Sequence, residues 1–253
     1  MKQVFESKLN IFLSELFNQI GVSSHSEFAW KEGKDMAKKK LTNEILQQQA
    51  KKFAEKETKH NEPALFGVTD GKAVGTYLEH KFQKYLHAKY IYVEGSSAKG
   101  IDFPELLVDL KVTSKRQPQS SCPFKSARQK IYGLGYSILV FVYNKTDDQE
   151  KETANLEILH TVYIEINRTA DYQTTTGINK IIQNKGNIDD ILAFFEERML
   201  PVDNLLAQKL AEEVLKNPPE IGYLTISNAL QWRLQYSRVI SEAGKVDGII
   251  RVV

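Results

Sequence analysis

The chain reads as an α/β protein with helical additions at both ends, and three observations predict this. Apolar runs of strand length, rich in β-branched and aromatic residues, recur between positions 90 and 166. Amphipathic helical spacing brackets them on both sides. Through the middle of the chain the order is helix, three strands, helix and strand, with another strand after it.

Taken in order, residues 1–20 carry Leu9, Phe12, Leu13, Leu16, Phe17 and Ile20 at helical spacing, interrupted by Glu6, Lys8 and Glu15. That pattern predicts an amphipathic packing helix, because a secretory signal would not tolerate those charges. Residues 27–59 are rich in Lys and Gln, with Leu41, Ile45, Leu46 and Phe53 supplying apolar helix faces. Asn61, Glu62 and Pro63 mark a break. A helix over 75–87 has Leu78, Phe82, Tyr85 and Leu86 on one face, and strands are expected at 90–93, 101–103 and 106–112. A short helix over 124–132 precedes strands at 137–143 and 156–166. Helices are expected at 188–199 and 205–215 and, after Pro218 and Pro219, from Ile226 to about Glu242, with a last strand at 248–253. The expected division is a helical region over 1–66, an α/β core over 67–170 and a mainly helical region over 171–253.

Composition narrows the functional classes. With 253 residues the chain can bury a substantial core, and 34 basic against 32 acidic side chains leave a net charge of only +2. Any attraction to nucleic acid must therefore come from local charge patterning. One cysteine, Cys122, excludes an internal disulfide framework, and no Cys/His cluster has structural-zinc spacing. A reducing, cytoplasmic setting is expected. No apolar run reaches the roughly 18 residues of a membrane-spanning helix.

In the run Val108, Asp109, Leu110, Lys111 and Val112, strand alternation puts the three apolar residues on one face. Asp109 and Lys111 share the other, about 7 Å apart along the strand. Asp102 stands just before a turn at Pro104 and Glu105, so a hairpin-like return brings its carboxylate towards Asp109. Two carboxylates held together repel unless a cation lies between them, and hard oxygen donors suit Mg²⁺. Glu79 falls about 20° around its helix from Leu86, bordering the buried stripe. From Leu110 through Thr146 there is no acidic residue, while Lys111, Lys115, Arg116, Lys125, Arg128, Lys130 and Lys145 all occur. Such a zone favours a phosphodiester backbone.

Rival chemistries fit worse. The glycines of 95–100 have phosphate-loop spacing, but Ile101 and Asp102 stand where that motif needs Lys and Ser or Thr. His25, His60, His80, His87 and His160 lack ligand spacing, no Gly-x-Ser-x-Gly occurs, and Cys122 lies in a Ser-rich loop.

Glu79 on a helix, Gly100-Ile101-Asp102, and then Val108 through Ser114 resemble the core of the PD-(D/E)xK nuclease superfamily, over about residues 73–145. Ile101 replaces the usual Pro. Gly133 stands where the exonuclease branch has a Tyr four residues after Gln129. The resemblance, closest to type II restriction endonucleases, implies a mixed central sheet flanked by helices and Mg²⁺-dependent hydrolysis of double-stranded DNA by a homodimer. It further implies that Asp102, Asp109 and the carbonyl of Leu110 ligate the metal, that Lys111 orients or deprotonates the attacking water, and that Glu79 assists. Two alternatives stay open: a repair or recombination nuclease on the same core, and a non-enzymatic regulator binding DNA through its C-terminal helices.

For DNA contact, Lys115, Arg116, Lys125, Arg128 and Lys130 are the expected phosphate partners. Gln231, Arg233, Gln235 and Arg238 sit on the expected 226–242 helix, which vaguely resembles a winged-helix recognition element, and suit base edges. Ile226, Leu230, Leu234 and Ile240 equally fit an ordinary packing helix. Gln117 and Gln119, in the loop after the motif strand, are the nearer competitors for base contact.

Overall fold

The computed structural model of the chain describes residues 38–95, 100–122, 125–227 and 232–253, and Lys39–Val253 form one unit. The helix expected over 1–20 lies outside the described residues. In chain order the elements begin with β1 (Lys39–Lys40), α1 (Asn43–Glu57), β2 (Asn61–Glu62), α2 (Gly71–His87) and β3 (Tyr90–Ile91). The middle of the chain forms β4 (Val108–Ser114), β5 (Gln119–Cys122), α3 (Arg128–Tyr132), β6 (Ser137–Asp148) and β7 (Thr153–Ile164). The remainder forms α4 (Tyr172–Gln183), α5 (Ile188–Glu197), α6 (Asn204–Lys216), β8 (Thr225–Ile226), β9 (Trp232–Gln235), α7 (Ser237–Glu242) and β10 (Ile249–Arg251). The α/β class is as expected.

The central sheet runs β10-β7-β6-β4, with β2 also on β7. It is mixed: β4 and β6 are parallel, whereas β6, β7 and β10 pair antiparallel. Seven consecutive residues from Ser137 are buried, because both faces of β6 are covered. Leu139, Phe141 and Tyr143 join Val108 and Leu110 against α1 and α2, which contribute Leu46, Phe53, Leu78, Phe82 and Leu86. Phe82 lies 4.9 Å from Phe53 and 5.2 Å from Phe141, ring centre to ring centre. Removing such a ring costs about 3–5 kcal/mol. On the opposite face Ile138, Val140 and Val142 meet Trp232, Leu234, Tyr236 and Val239. A third cluster, with Ile131, Ile178, Ile191, Phe195, Leu210 and Val214, ties α3 to α4, α5 and α6.

Local chemistry sets the helix starts. Thr42, Asp70, Asp171, Asn187 and Asp203 each accept a backbone N–H at the first turn of α1, α2, α4, α5 and α6, and Asn187 forms a full capping box with Asp190. Helix α2 packs over β4 at Gly75, where a Cβ would meet the Val112 carbonyl oxygen at an ordinary contact distance of 3.5 Å.

Three expectations need correction. Of the helix expected from Ile226 to about Glu242, only Ser237–Glu242 (α7) is helical among the described residues. Trp232, Leu234 and Tyr236 are buried while Arg233 and Gln235 are exposed, so a period of two governs these residues and makes them strand β9. The apparent helical spacing of Ile226, Leu230 and Leu234 linked residues of different strands, and Leu230 lies outside the described residues. Residues 101–103 form only a bridge, Phe103 opposite Val108, instead of a strand. Finally, the 124–132 helix is shorter, beginning at Arg128.

Helix α4 carried little signal, since Thr174, Thr175, Thr176 and Gly177 are weak helix formers. Asp171 compensates for this. Its Oδ1 accepts from the Thr174 amide and hydroxyl, and its Oδ2 accepts from the Ile226 amide at 2.8 Å, joining α4 to β8.

Candidate active site

Strand β4 is an edge of the central sheet, so alternate backbone amides point away from β6 and need other partners. The Val108 amide donates to the Phe103 carbonyl at 3.2 Å, and that of Leu110 to Asp102 Oδ2 at 2.9 Å. The Val112 amide donates to the Glu79 carboxylate from α2. Three successive outward amides thus fix the turn and the two acids that flank the motif strand.

The Phe103–Val108 bridge closes a tight return, in which the Leu106 amide donates to the Phe103 carbonyl and Leu107 takes a positive φ of 53°. That return swings Asp102 back beside β4, within hydrogen-bonding reach of the Asp109 carboxylate. In-strand alternation puts Asp109, Lys111 and Thr113 on the face that also carries Ile138, Val140 and Val142. Asp109 is buried, with only 4% of its side chain exposed, and Lys111 Nζ lies 2.6 Å from its Oδ2.

Electrostatics follow from this crowding. Burial pushes Asp109 up to about 7; Lys111 opposes the shift, and the neighbouring Asp102 reinforces it. Burial likewise raises Glu79 to about 7, with Lys111 opposing, Asp102 reinforcing and the Val112 amide opposing. For Lys111 burial favours the neutral amine, but Asp109, Asp102 and Glu79 together outweigh it and raise the pKa. The ammonium is therefore the form this cluster holds.

Among the described residues no three His, Cys, Asp or Glu side chains are gathered closely enough to hold a metal by themselves. Asp102 and Asp109 supply two carboxylates, and a backbone oxygen can supplement them. In an extended strand the N–H and C=O of one residue point to the same side, so the Leu110 carbonyl faces the edge from which its amide reaches Asp102. Two facing acids with one pKa pushed towards 7, beside an outward carbonyl, are a hard-oxygen donor set whose mutual repulsion a divalent cation relieves.

Beyond Lys111, Thr113 fastens the next segment. Its hydroxyl lies 3.2 Å from the Gln117 carbonyl and 3.0 Å from both the carbonyl and the amide of Gln119. Ser120 Oγ and Tyr236 Oη are 2.5 Å apart, and Cys122 Sγ is 3.9 Å from Tyr136 Oη. Cys122 is buried, and its burial raises the thiol pKa. Strand periodicity, continued two residues past Lys111, would have flagged Thr113. Tyr236 carries no comparable signal, because the apolar residues around it also fit a helical period.

The basic stretch divides. Lys115, Arg116 and Lys125 are exposed, and the first two line a cavity of about 260 Å³ with Ser114, Gly71 and Lys145. Arg128 is paired with Glu213 and stacks over Tyr132. Lys130 is buried with its ammonium 5.9 Å from the centre of the Trp232 ring, away from any surface a phosphate can reach. Gln117 is exposed, as are Arg233 and Gln235 on β9. Arg238 is half-buried and stacks at 3.7 Å over Tyr172, and Gln231 lies outside the described residues.

No described helix is long and apolar enough to cross a membrane. No solved structure matched the chain. A curated relative, the type II restriction enzyme NspV of Nostoc sp. (strain ATCC 29411 / PCC 7524), is 62% identical over 212 residues, spanning 84% of this chain and 96% of that protein. The family model described as "Type II restriction enzyme NspV" matches residues 40–251, which include the whole Glu79, Asp102, Asp109 and Lys111 cluster. The chain belongs to the NspV family of type II restriction enzymes.

Proposed function

We propose that the chain is a type II restriction endonuclease that hydrolyses phosphodiester bonds in double-stranded DNA at the open edge of β4. The observation that carries this reading is the convergence of Asp102, Asp109 and Lys111 on that edge, in a chain of this family. Asp102, Asp109 and the Leu110 carbonyl would hold Mg²⁺. When bound, the ion supplies Lewis-acid stabilisation of the negative charge that develops on the phosphoryl oxygens.

The side chains do the rest. Lys111, kept as an ammonium by Asp109, donates to and orients the attacking water and offsets charge on the phosphate. Glu79, whose carboxyl is pushed up to about 7, accepts through an intervening water the proton that the attacking water releases. Lys115 and Arg116, exposed just past the end of β4, meet the neighbouring phosphates. Duplex sites with two-fold symmetry call for a homodimer with one active site per strand. The buried thiol of Cys122, the one cysteine, fits work in the reducing cytoplasm.

Incubation of the purified protein with long unmethylated DNA, in Mg²⁺ and separately in EDTA, tests the reading. Discrete fragments in Mg²⁺ alone are expected. A smear would indicate a structure-directed or non-specific nuclease, and intact DNA would sink the nuclease reading.

A further inference from the structure

Two segments distant in the chain meet on one surface. Strand β5 pairs antiparallel with β9, and β9 with β8, forming a three-stranded sheet separate from the central one. The register sets Gln119 opposite Gln235 and Ser121 opposite Arg233, with Thr225 on the far side of Gln235. Those residues share one face. The other face carries Cys122, Trp232, Leu234 and Ile226, all buried in the core.

The outer face holds side chains that donate and accept hydrogen bonds. Arg233, Gln235 and Ser121 are exposed, and Gln119 is half-buried. Arg233 spends a guanidinium nitrogen on Ser121 Oγ at 3.3 Å, and the Arg233 amide donates to Ser227 Oγ at 3.0 Å. No carboxylate is paired across this face in the register. An Arg fork beside a facing pair of amides offers the side chains that discriminate purines, guanine through O6 and N7 and adenine through N6 and N7.

Position supports the same use. Thr113 stands two residues past Lys111 on the same face of β4, about 7 Å along the strand. Its hydroxyl is 3.0 Å from the Gln119 amide. The Gln119 end of β5 is therefore fastened beside the strand that carries Lys111, and a major groove roughly 12 Å wide admits a β-ribbon. The Asp171–Ile226 hydrogen bond and the burial of Cys122, Trp232, Leu234 and Tyr236 against Ile138, Val140 and Val142 anchor the sheet to the core, as a reading element requires.

We propose that the outer face of the β5-β9-β8 sheet enters the major groove and sets the recognition sequence, with Gln119, Arg233 and Gln235 as the base-contacting side chains. The inference rests on the endonuclease reading above. It makes the Gln117–Gln119 loop and the C-terminal segment parts of one surface, and it leaves Arg238 as a packing residue stacked on Tyr172.

The test begins with the wild-type cleavage site, read from the ends of fragments cut in Mg²⁺; failure to cut would overturn the endonuclease reading itself. Binding is then measured in Ca²⁺ to the cognate duplex and to duplexes with single base-pair changes, for wild type, Arg233→Lys and Gln119→Ala/Gln235→Ala. Arg233→Lys keeps the charge and the exposed position, so folding is undisturbed, but it removes the fork. The expected result is a drop of about tenfold or more in the cognate-to-changed affinity ratio, confined to particular base pairs for each variant, with weak binding to unrelated DNA unchanged. An unaltered ratio, or an equal loss on every sequence, would overturn the inference while leaving the nuclease reading intact.

Discussion

Lys111 Nζ stands 2.6 Å from Asp109 Oδ2, and this contact places a protonated amine and a buried acid at the one edge of the central sheet that also receives Asp102 and Glu79. The ammonium lowers the cost of burying Asp109, and the three acids keep the amine charged.

Replacing Lys111 by Ala should reduce cleavage by about a hundredfold or more while specific DNA binding in Ca²⁺ survives, because the ammonium acts on the water and the developing charge. The fold should tolerate the change, since Asp109, already pushed up to about 7, protonates when its partner is lost. Single-turnover cleavage and equilibrium binding on the same duplex check this. Wild-type rates in the variant would remove Lys111 from the chemistry.

Asp109→Asn should lower divalent-cation affinity by about tenfold or more in calorimetry, because a neutral amide cannot replace a charged ligand. Asp102→Asn should do the same while leaving β4 in place, since the Asn side-chain oxygen can still accept the Leu110 amide as Asp102 Oδ2 does. Unchanged affinity in both variants would move the metal elsewhere.

The pH dependence has a defined sign. Glu79 and Asp109 both sit at about 7 in the metal-free fold, above their unfolded values of about 4. Between those values the native state binds more protons than the unfolded chain, so each acid's contribution to stability falls as pH rises from about 4 to about 7. Metal binding runs the other way: cation and proton compete, and affinity should rise through pH 7 by up to about tenfold per unit for each acid deprotonated. Melting curves in EDTA between pH 5 and 8, compared with Glu79→Gln, isolate that residue's share. Parallel curves for the two proteins would contradict the raised pKa.

Reversing Lys115 and Arg116 to Glu should weaken binding to all sequences alike and flatten its salt dependence, as loss of phosphate contacts does. Both are exposed beyond the end of β4. A loss confined to one sequence would put them at base edges instead.

How much was legible in the sequence depended on whether chemistry was local. Asp109 and Lys111 lie two apart on a strand, so alternation alone put them on one face, and the Pro104 turn was enough to bring Asp102 back. Glu79 was placed by helical phase. The β9 segment was not legible, because Trp232, Leu234 and Tyr236 alternate over only a few residues while their apolar neighbours also fit a helical period. What selects the strand is pairing with β5, more than a hundred positions away in the chain, a non-local contact that no window reveals. The burial of Lys130 was not legible for a related reason: its surroundings include Trp232, across that same pairing.

Thr113 links the active edge to the sheet that carries Gln119, and its substitution separates the two roles. Its hydroxyl, on a buried side chain, satisfies the Gln119 amide and lies near the Gln117 and Gln119 carbonyls. Thr113→Val keeps the shape and the β-branch but strips these partners of their hydrogen bonds, at a cost of about 1–3 kcal/mol. The strand itself should persist, because β4 remains paired with β6 along its full length. Metal affinity should therefore be unchanged, while thermal stability falls and the turn over 115–118 relaxes, letting β5 shift against β4. The cleavage rate on the cognate site should drop more than metal binding does, and discrimination against single base-pair changes should weaken with it. Calorimetry, melting curves and cleavage of matched duplexes measure the three effects separately. A loss of metal affinity equal to the loss of cleavage would show that Thr113 serves the carboxylate site, not the coupling between site and sheet.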